Sequence, residues 1–240
     1  MELSRYEKKW FSQNGEDGIT IKLVDIIYGT MNDPNKYYVE FGVENGKECN
    51  TRILREKYGW RGLQMDGSNH NEKINLQREF ITKENITQLF EKYNVPKLIN
   101  VLSVDIDFND FYCLHEILKN YVCDIIICEY NGCHFPTEDK IVVYNSTQTW
   151  DTTNYFGASL LSMVKLCSAF NYTLVYCNAN GVNAFFINNE IINKLSLNFL
   201  NMEDIMKLYR PSRYGNGPNG GHKQDQLNRK YLTYDEAILL

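Results

Sequence analysis

Tyr37-Tyr38-Val39-Glu40-Phe41-Gly42-Val43-Glu44-Asn45-Gly46 is the stretch on which the fold turns. Aromatic and β-branched residues dominate its first half, as in a short buried strand, and glycines at 42 and 46 follow at once. A strand that runs into a Gly-bearing turn and then a helix is the opening unit of an α/β sheet. The helix is expected over Cys49 to Tyr58, closed by Gly59. Upstream, Glu16 to Tyr28 reads as a helix with Ile19, Leu23, Ile26 and Ile27 on one face and Gly29 at its C-cap.

Downstream the alternation continues. Gly62 to Asp66 reads as a second strand, Glu79-Phe80-Ile81 as a short third one, and Glu84 to Asn94 as a helix with Ile86, Leu89, Phe90 and Tyr93 inward. Asn100 to Asp105 and Asp124 to Glu129 are the clearest strands, joined by a helix over Phe111 to Tyr121. Residues 130–156 form an irregular stretch longer than an ordinary connection, before a helix over Ala158 to Phe170. Thr173 to Cys177 and Ala184 to Ile187 are strands separated only by Asn178-Ala179-Asn180-Gly181, so they form a hairpin and one runs antiparallel to its neighbour. The expectation is one domain over residues 1–240: a seven-stranded, mostly parallel sheet with helices on both faces and a Gly-rich tail loop at 214–222.

A chain of 240 residues with 43% hydrophobic and 23% charged residues can bury a full core. The net charge of −5 argues against a nucleic-acid partner. Met1-Glu2-Leu3-Ser4-Arg5 lacks the apolar core of a signal peptide, and no apolar run reaches membrane-spanning length, so a cytoplasmic location is expected. The seven cysteines include no Cys-x-x-Cys pair and sit mostly in apolar runs, as buried reduced thiols do.

Ligands of open α/β sheets bind beyond the carboxyl ends of the strands. Strand one ends in acid-x-Gly-x-x-x-Gly (Glu40, Gly42, Gly46), which lacks the Gly-x-Gly-x-x-Gly spacing of a pyrophosphate cradle. Glu40 and Glu44 would repel a diphosphate but tolerate the cationic ammonium of a methionine moiety. Strand two ends in Asp66, which can accept hydrogen bonds from both hydroxyls of an adenosine ribose or cap the turn through Gly67-Ser68. Together these features favour S-adenosylmethionine over NAD.

Strands four and five end in Val104-Asp105-Ile106-Asp107-Phe108-Asn109-Asp110 and Glu129-Tyr130-Asn131-Gly132-Cys133-His134. Parallel neighbours bring these ends together, and Asp105, Asp107, Glu129 and Asn131 offer the oxygen ligands that suit Mg²⁺ or Mn²⁺. Carboxylates that merely cap helices or pair with lysines are an equal alternative. A hydroxyl nucleophile must lose its proton, and His134, a few residues beyond strand five, is the preferred base. Asp107 is the second candidate, and His222 in the tail a third.

With these residues in view, the chain resembles the FkbM-like, S-adenosylmethionine-dependent methyltransferases of polysaccharide gene clusters. The resemblance covers Ser12 to about Asn188. It rests on Ser12-Gln13-Asn14-Gly15-Glu16-Asp17-Gly18, Val39-Glu40-Phe41-Gly42, Asn50-Thr51, Gly59-Trp60-Arg61-Gly62-Leu63, Ser103-Val104-Asp105-Ile106-Asp107, Glu129-Tyr130-Asn131, Tyr155-Phe156-Gly157-Ala158-Ser159-Leu160 and Gly181-Val182-Asn183-Ala184-Phe185-Phe186. It implies a Rossmann-like class I methyltransferase sheet of order 3-2-1-4-5-7-6. It also implies that Gln13, Gly42, Asn50, Thr51 and Asp66 lie near S-adenosylmethionine. The implied acceptor is a sugar hydroxyl in a capsule, lipopolysaccharide or other glycan, carried on a nucleotide sugar or a finished polymer. Related sugar and catechol enzymes hold a metal at strands four and five; Glu129-Tyr130-Asn131 departs from their adjacent acids, and Phe108 stands where a Gly is expected. An NAD-dependent sugar oxidoreductase and an inactive nucleoside-binding module are the rival readings. Oligomeric state, homo-oligomer included, stays open.

Overall fold

The computed structural model describes residues 1–29 and 32–240. Helix α1 (Glu16–Tyr28) starts after left-handed Gly15 and stops on left-handed Gly29, the expected cap. Strand β1 (Tyr37–Phe41) follows, wholly buried, and then α2 (Arg52–Tyr58). The start of α2 lies beyond the expected Cys49 for a local reason: the Glu40 carboxylate accepts the N–H groups of Asn50 and Thr51 and holds them as a turn ahead of the helix.

Next come β2 (Arg61–Asp66), β3 (Leu76–Arg78), α3 (Ile86–Lys92), β4 (Leu98–Val104), α4 (Asp110–Asn120) and β5 (Val122–Glu129). The third strand precedes the expected Glu79-Phe80-Ile81. Pairing to β2 aligns Gln64 with Leu76 and Asp66 with Arg78, and it is Leu76 that is buried while Phe80 is exposed. Beyond β5 lie β6 (Ile141–Val142), α5 (Leu160–Ala169), β7 (Tyr172–Cys177), β8 (Asn183–Asn188), α6 (Asn189–Leu195), α7 (Ile205–Leu208), β9 (Tyr231–Leu232) and α8 (Tyr234–Ala237).

The main sheet has the order β3-β2-β1-β4-β5-β8-β7. Only β8 runs against its neighbours, pairing antiparallel with both β5 and β7 as the hairpin requires. The labels depart from the expected order because β6 lies outside this sheet, in an antiparallel pair with β9. Strand residues alternate between two apolar layers. Val39, Phe41 and Leu102 pack with α3, α4 and α5 on one face; Tyr38, Val101, Ile125 and Ile127 pack with α1 and α2 on the other. All seven cysteines are buried and free.

The β6–β9 pair explains how 130–156 avoids being a slack loop: the C-terminal tail is stitched onto it. Asn154 N–H also donates to the Lys223 carbonyl, and its side chain accepts from Asp225 N–H.

Candidate functional site

Strand register sets the site. Phe41 pairs with Met65 on one side and Val104 on the other, and Val104 pairs with Cys128. One residue further, Asp66, Gly42, Asp105 and Glu129 therefore form a level row at the carboxyl edge of four parallel strands. A cleft of about 560 Å³ opens on this row, lined also by Gln13, Asn14, Asn50, Trp150, Tyr214 and His222. A smaller pocket of about 260 Å³ adjoins it, sharing Gly42, Asp66, Asp107 and Trp150 and walled by Phe80, Ile81, Ile106 and Phe108.

The turn after β1 is built to bring backbones together. A Cβ on Gly42, at φ +77°, would stand 1.4 Å from the Asp105 carbonyl oxygen. Gly42 thus serves first to let β1 and β4 converge. Gly46 is also left-handed, but it packs against Ile74 outside the cleft. Glu40 lines the cleft with its carboxylate already committed to Asn50 N–H, Thr51 N–H and the Thr51 hydroxyl. Burial raises its pKa against the pull of those donors. Thr51 is spent on Glu40 and lies outside the lining, whereas Asn50 reaches the cleft and donates to Ser103 Oγ at 3.1 Å.

Asp66 caps its turn, one of the two roles read from the sequence, and also lies at the cleft. Its Oδ1 accepts Ser68 N–H and Asn69 N–H, capping the turn, and Oδ2 accepts Glu44 N–H at 2.9 Å, yet the residue faces both cavities. Gln13 and Asn14 are brought to the cleft by two buried acids. Asp17 Oδ2 gathers the N–H groups of Trp10, Phe11 and Ser12 and the Ser12 hydroxyl. Glu16 accepts from Asn14 N–H and from the side chains of Asn178 and Asn183, tying the N-terminal segment to the β7–β8 hairpin.

Seven carboxylate residues line the cleft: Glu40, Glu44, Glu48, Asp66, Asp105, Asp107 and Glu129. Among the described residues, no Lys or Arg lines it. The expected ligand set is only partly assembled. Asp105 and Glu129 come together, but their third partner is Asp110, at the start of α4; one carboxylate oxygen from each lies within 4.8 Å of the others. Asp107 lies outside this triad, in the left-handed region at φ 65°. Asn131 is fully buried and its amide is used elsewhere, donating to the carbonyls of Asn154 and Phe156 and accepting Cys133 N–H.

Asp110 Oδ1 accepts Ile106 N–H, whereas Asp110 Oδ2 and Glu129 Oε2 are buried with no partner among the described residues. Burial, reinforced by the neighbouring acids, pushes Asp105 and Glu129 well above the ordinary carboxyl range. Burial likewise lifts Asp110 to about 7. Oxygens around a hard divalent cation bound at about 2.1–2.6 Å stand roughly 3–5 Å apart, so the triad's spacing and orphaned oxygens fit such an ion.

His134 is not in the cleft. It is 6% exposed, stacks edge-on against Tyr231 at 4.9 Å, and leaves Nε2 without a partner among the described residues. Burial, aided by Lys140, drives its pKa down to about 4. The histidine at the site is His222, whose ring meets Trp150 at 4.3 Å, Tyr214 at 5.2 Å and Phe156 at 5.5 Å. Burial lowers its pKa too. Of the long loop's aromatics expected to stack on a sugar, Trp150 lines the cleft. Tyr144 instead hydrogen-bonds Glu84, and buried Tyr155 donates to the Lys230 carbonyl. Asp110, though part of the strand-four cluster, is not among the ligands read from the sequence, and Tyr214 is not among its site residues; both are placed here by the fold.

Against models of known protein families and against curated proteins, the chain has no match. Among the described residues, no helix is long and apolar enough to cross a membrane.

Proposed function

We propose that the chain is an S-adenosylmethionine-dependent methyltransferase acting on a sugar hydroxyl. The observation that carries this reading is the level row Asp66, Gly42, Asp105, Glu129 beneath an acid-lined cleft. S-adenosylmethionine carries two positive groups, a sulfonium and an ammonium, against one carboxylate. Such a ligand suits carboxylate walls, whereas the diphosphate of NAD would meet charges of its own sign. That contrast also disfavours the oxidoreductase alternative.

In this reading Asp66 accepts the ribose hydroxyls, and the adjoining pocket between Phe80, Ile106 and Phe108 takes the planar base. Gln13, Asn14 and Asn50 supply neutral polar contacts to the methionine end. The acceptor hydroxyl lies toward Glu129 and Asp107, with Trp150 and His222 on the facing wall. Glu129 lines the cleft and its Oε2 is buried without a partner among the described residues, which makes it, beside Asp105 and Asp110, the preferred proton acceptor. Asp107 and His222 remain alternatives within the same cleft, and His134 is excluded by its position. Mg²⁺ or Mn²⁺, if held by Asp105, Asp110 and Glu129, would lower the pKa of a hydroxyl it touched.

The test is calorimetric titration of the full chain with S-adenosylmethionine, S-adenosylhomocysteine and NAD. Saturable binding of the first two without NAD is expected; binding of NAD alone refutes the proposal.

A further inference from the structure

Resting on the methyltransferase reading, we infer that the acceptor is an uncharged sugar already released from its nucleoside diphosphate, so that methylation follows glycosyl transfer. The cleft's charge supports this. Sites that hold diphosphates do so with Lys, Arg, a Gly-rich backbone cradle or a bound cation. Here seven carboxylate residues line the cavity, and no Lys or Arg does so among the described residues.

Three of the chain's cations are engaged by contacts of their own. Arg52 lies over the Phe11 ring and donates to the Lys47 carbonyl, and Arg229 is held by Asp151 and Asp225. Lys9 pairs with Glu48, itself a lining acid. Setting aside Asp105 and Glu129 of the triad, and Glu48 with its Lys9 partner, still leaves Glu44, Asp66 and Asp107 facing the cavity.

Hydrogen-bond polarity points the same way. Ionised carboxylates only accept, so their complement is a donor-rich ligand. Sugar hydroxyls donate; phosphate oxygens do not. Glu129 Oε2 has no donor among the described residues. Trp150, His222 and Tyr214, which also line the cleft, make an aromatic cluster against which the C–H face of a pyranose can lie. The reaction that supplies such an acceptor is glycosyl transfer, which expels the nucleoside diphosphate and leaves a neutral glycosidic bond.

The full chain, saturated with S-adenosylhomocysteine, is titrated calorimetrically with methyl glycosides of glucose, mannose and rhamnose, and with UDP-glucose, GDP-mannose, UDP and GDP. Transfer of labelled methyl from S-adenosylmethionine to the same sugars is followed in parallel, in chelator and in Mg²⁺. Expected is a preference of about tenfold or more for a neutral glycoside in affinity or kcat/KM, in both buffers. Glu48→Lys should narrow that gap by raising affinity for UDP and GDP. A nucleotide sugar that binds or is methylated better, in either buffer, overturns the inference, as does a panel in which no glycoside binds. Failure of S-adenosylhomocysteine itself to bind is a different result and removes the methyltransferase reading beneath it.

Discussion

Replacing Asp66 by Ala separates the turn-capping job this carboxylate holds from the ribose-binding role proposed for it. Oδ1 accepts Ser68 N–H at 2.8 Å and Asn69 N–H at 2.9 Å, and Oδ2 accepts Glu44 N–H at 2.9 Å. These donors sit on half-exposed turns, so water can replace the carboxylate. The stability loss should be about 1–2 kcal/mol, well below the cost of orphaning buried donors. Binding should suffer more. A ribose diol on a carboxylate makes charge-assisted hydrogen bonds, and losing them costs about 1–3 kcal/mol, or roughly 5- to 150-fold in Kd. Asp66→Asn keeps one acceptor oxygen and should fall between the two. Calorimetry with S-adenosylhomocysteine measures affinity, and urea unfolding of the same samples measures stability. If Asp66→Ala folds and binds with wild-type affinity, the ribose assignment is wrong and Asp66 is only a turn cap. If affinity falls only in proportion to stability, the effect is indirect and the assignment fails equally.

Gly42→Ala should destabilise the fold by about 3 kcal/mol or more, since its Cβ meets the Asp105 carbonyl at 1.4 Å at a positive φ; an unchanged urea midpoint would contradict that packing. Asp17→Ala removes the shared acceptor of three backbone N–H groups and should cost about 2–4 kcal/mol while loosening Gln13 and Asn14, seen as lost amide-exchange protection over residues 10–14. Asp110 is raised in the folded state, so its contribution to stability is complete below its unfolded pKa near 4 and is lost as pH rises through about 7. In chelator, stability should therefore decline from pH 4 to pH 8 by on the order of a few kcal/mol from this group, Asp110→Asn should flatten the decline, and Mn²⁺ should restore stability at pH 8 in the wild type alone. A pH-independent difference between wild type and Asp110→Asn would refute the buried-triad reading. His134→Phe should leave turnover within about twofold, because the ring lies outside the cleft lining; a dead variant would return His134 to the mechanism.

Element type and order were legible in the sequence because they depend on local pattern. The Glu16–Tyr28 helix was readable from its apolar spacing and its terminal glycine, and the two central strands from their largely apolar, β-branched runs. The hairpin followed from a linker too short for a crossover, and the strand-end acids Asp66, Asp105 and Glu129 from the rule that ligands meet parallel strands at their carboxyl ends. What failed was decided at long range. The third strand moved to Leu76–Arg78 because pairing with β2, not the apolar triplet Glu79-Phe80-Ile81, set its register. His134 and Asn131 follow the right strand but turn into the packed loop, where Tyr231 and the carbonyls of Asn154 and Phe156 occupy them. His222 and Tyr214 reach the cleft because β9 pairs with β6 and folds the tail back over it. Asp110 joins Asp105 and Glu129 because the first turn of α4 abuts β5 across the sheet edge. A strand end fixes where a residue starts, but the direction of a side chain leaving a loop depends on which distant segment packs against it.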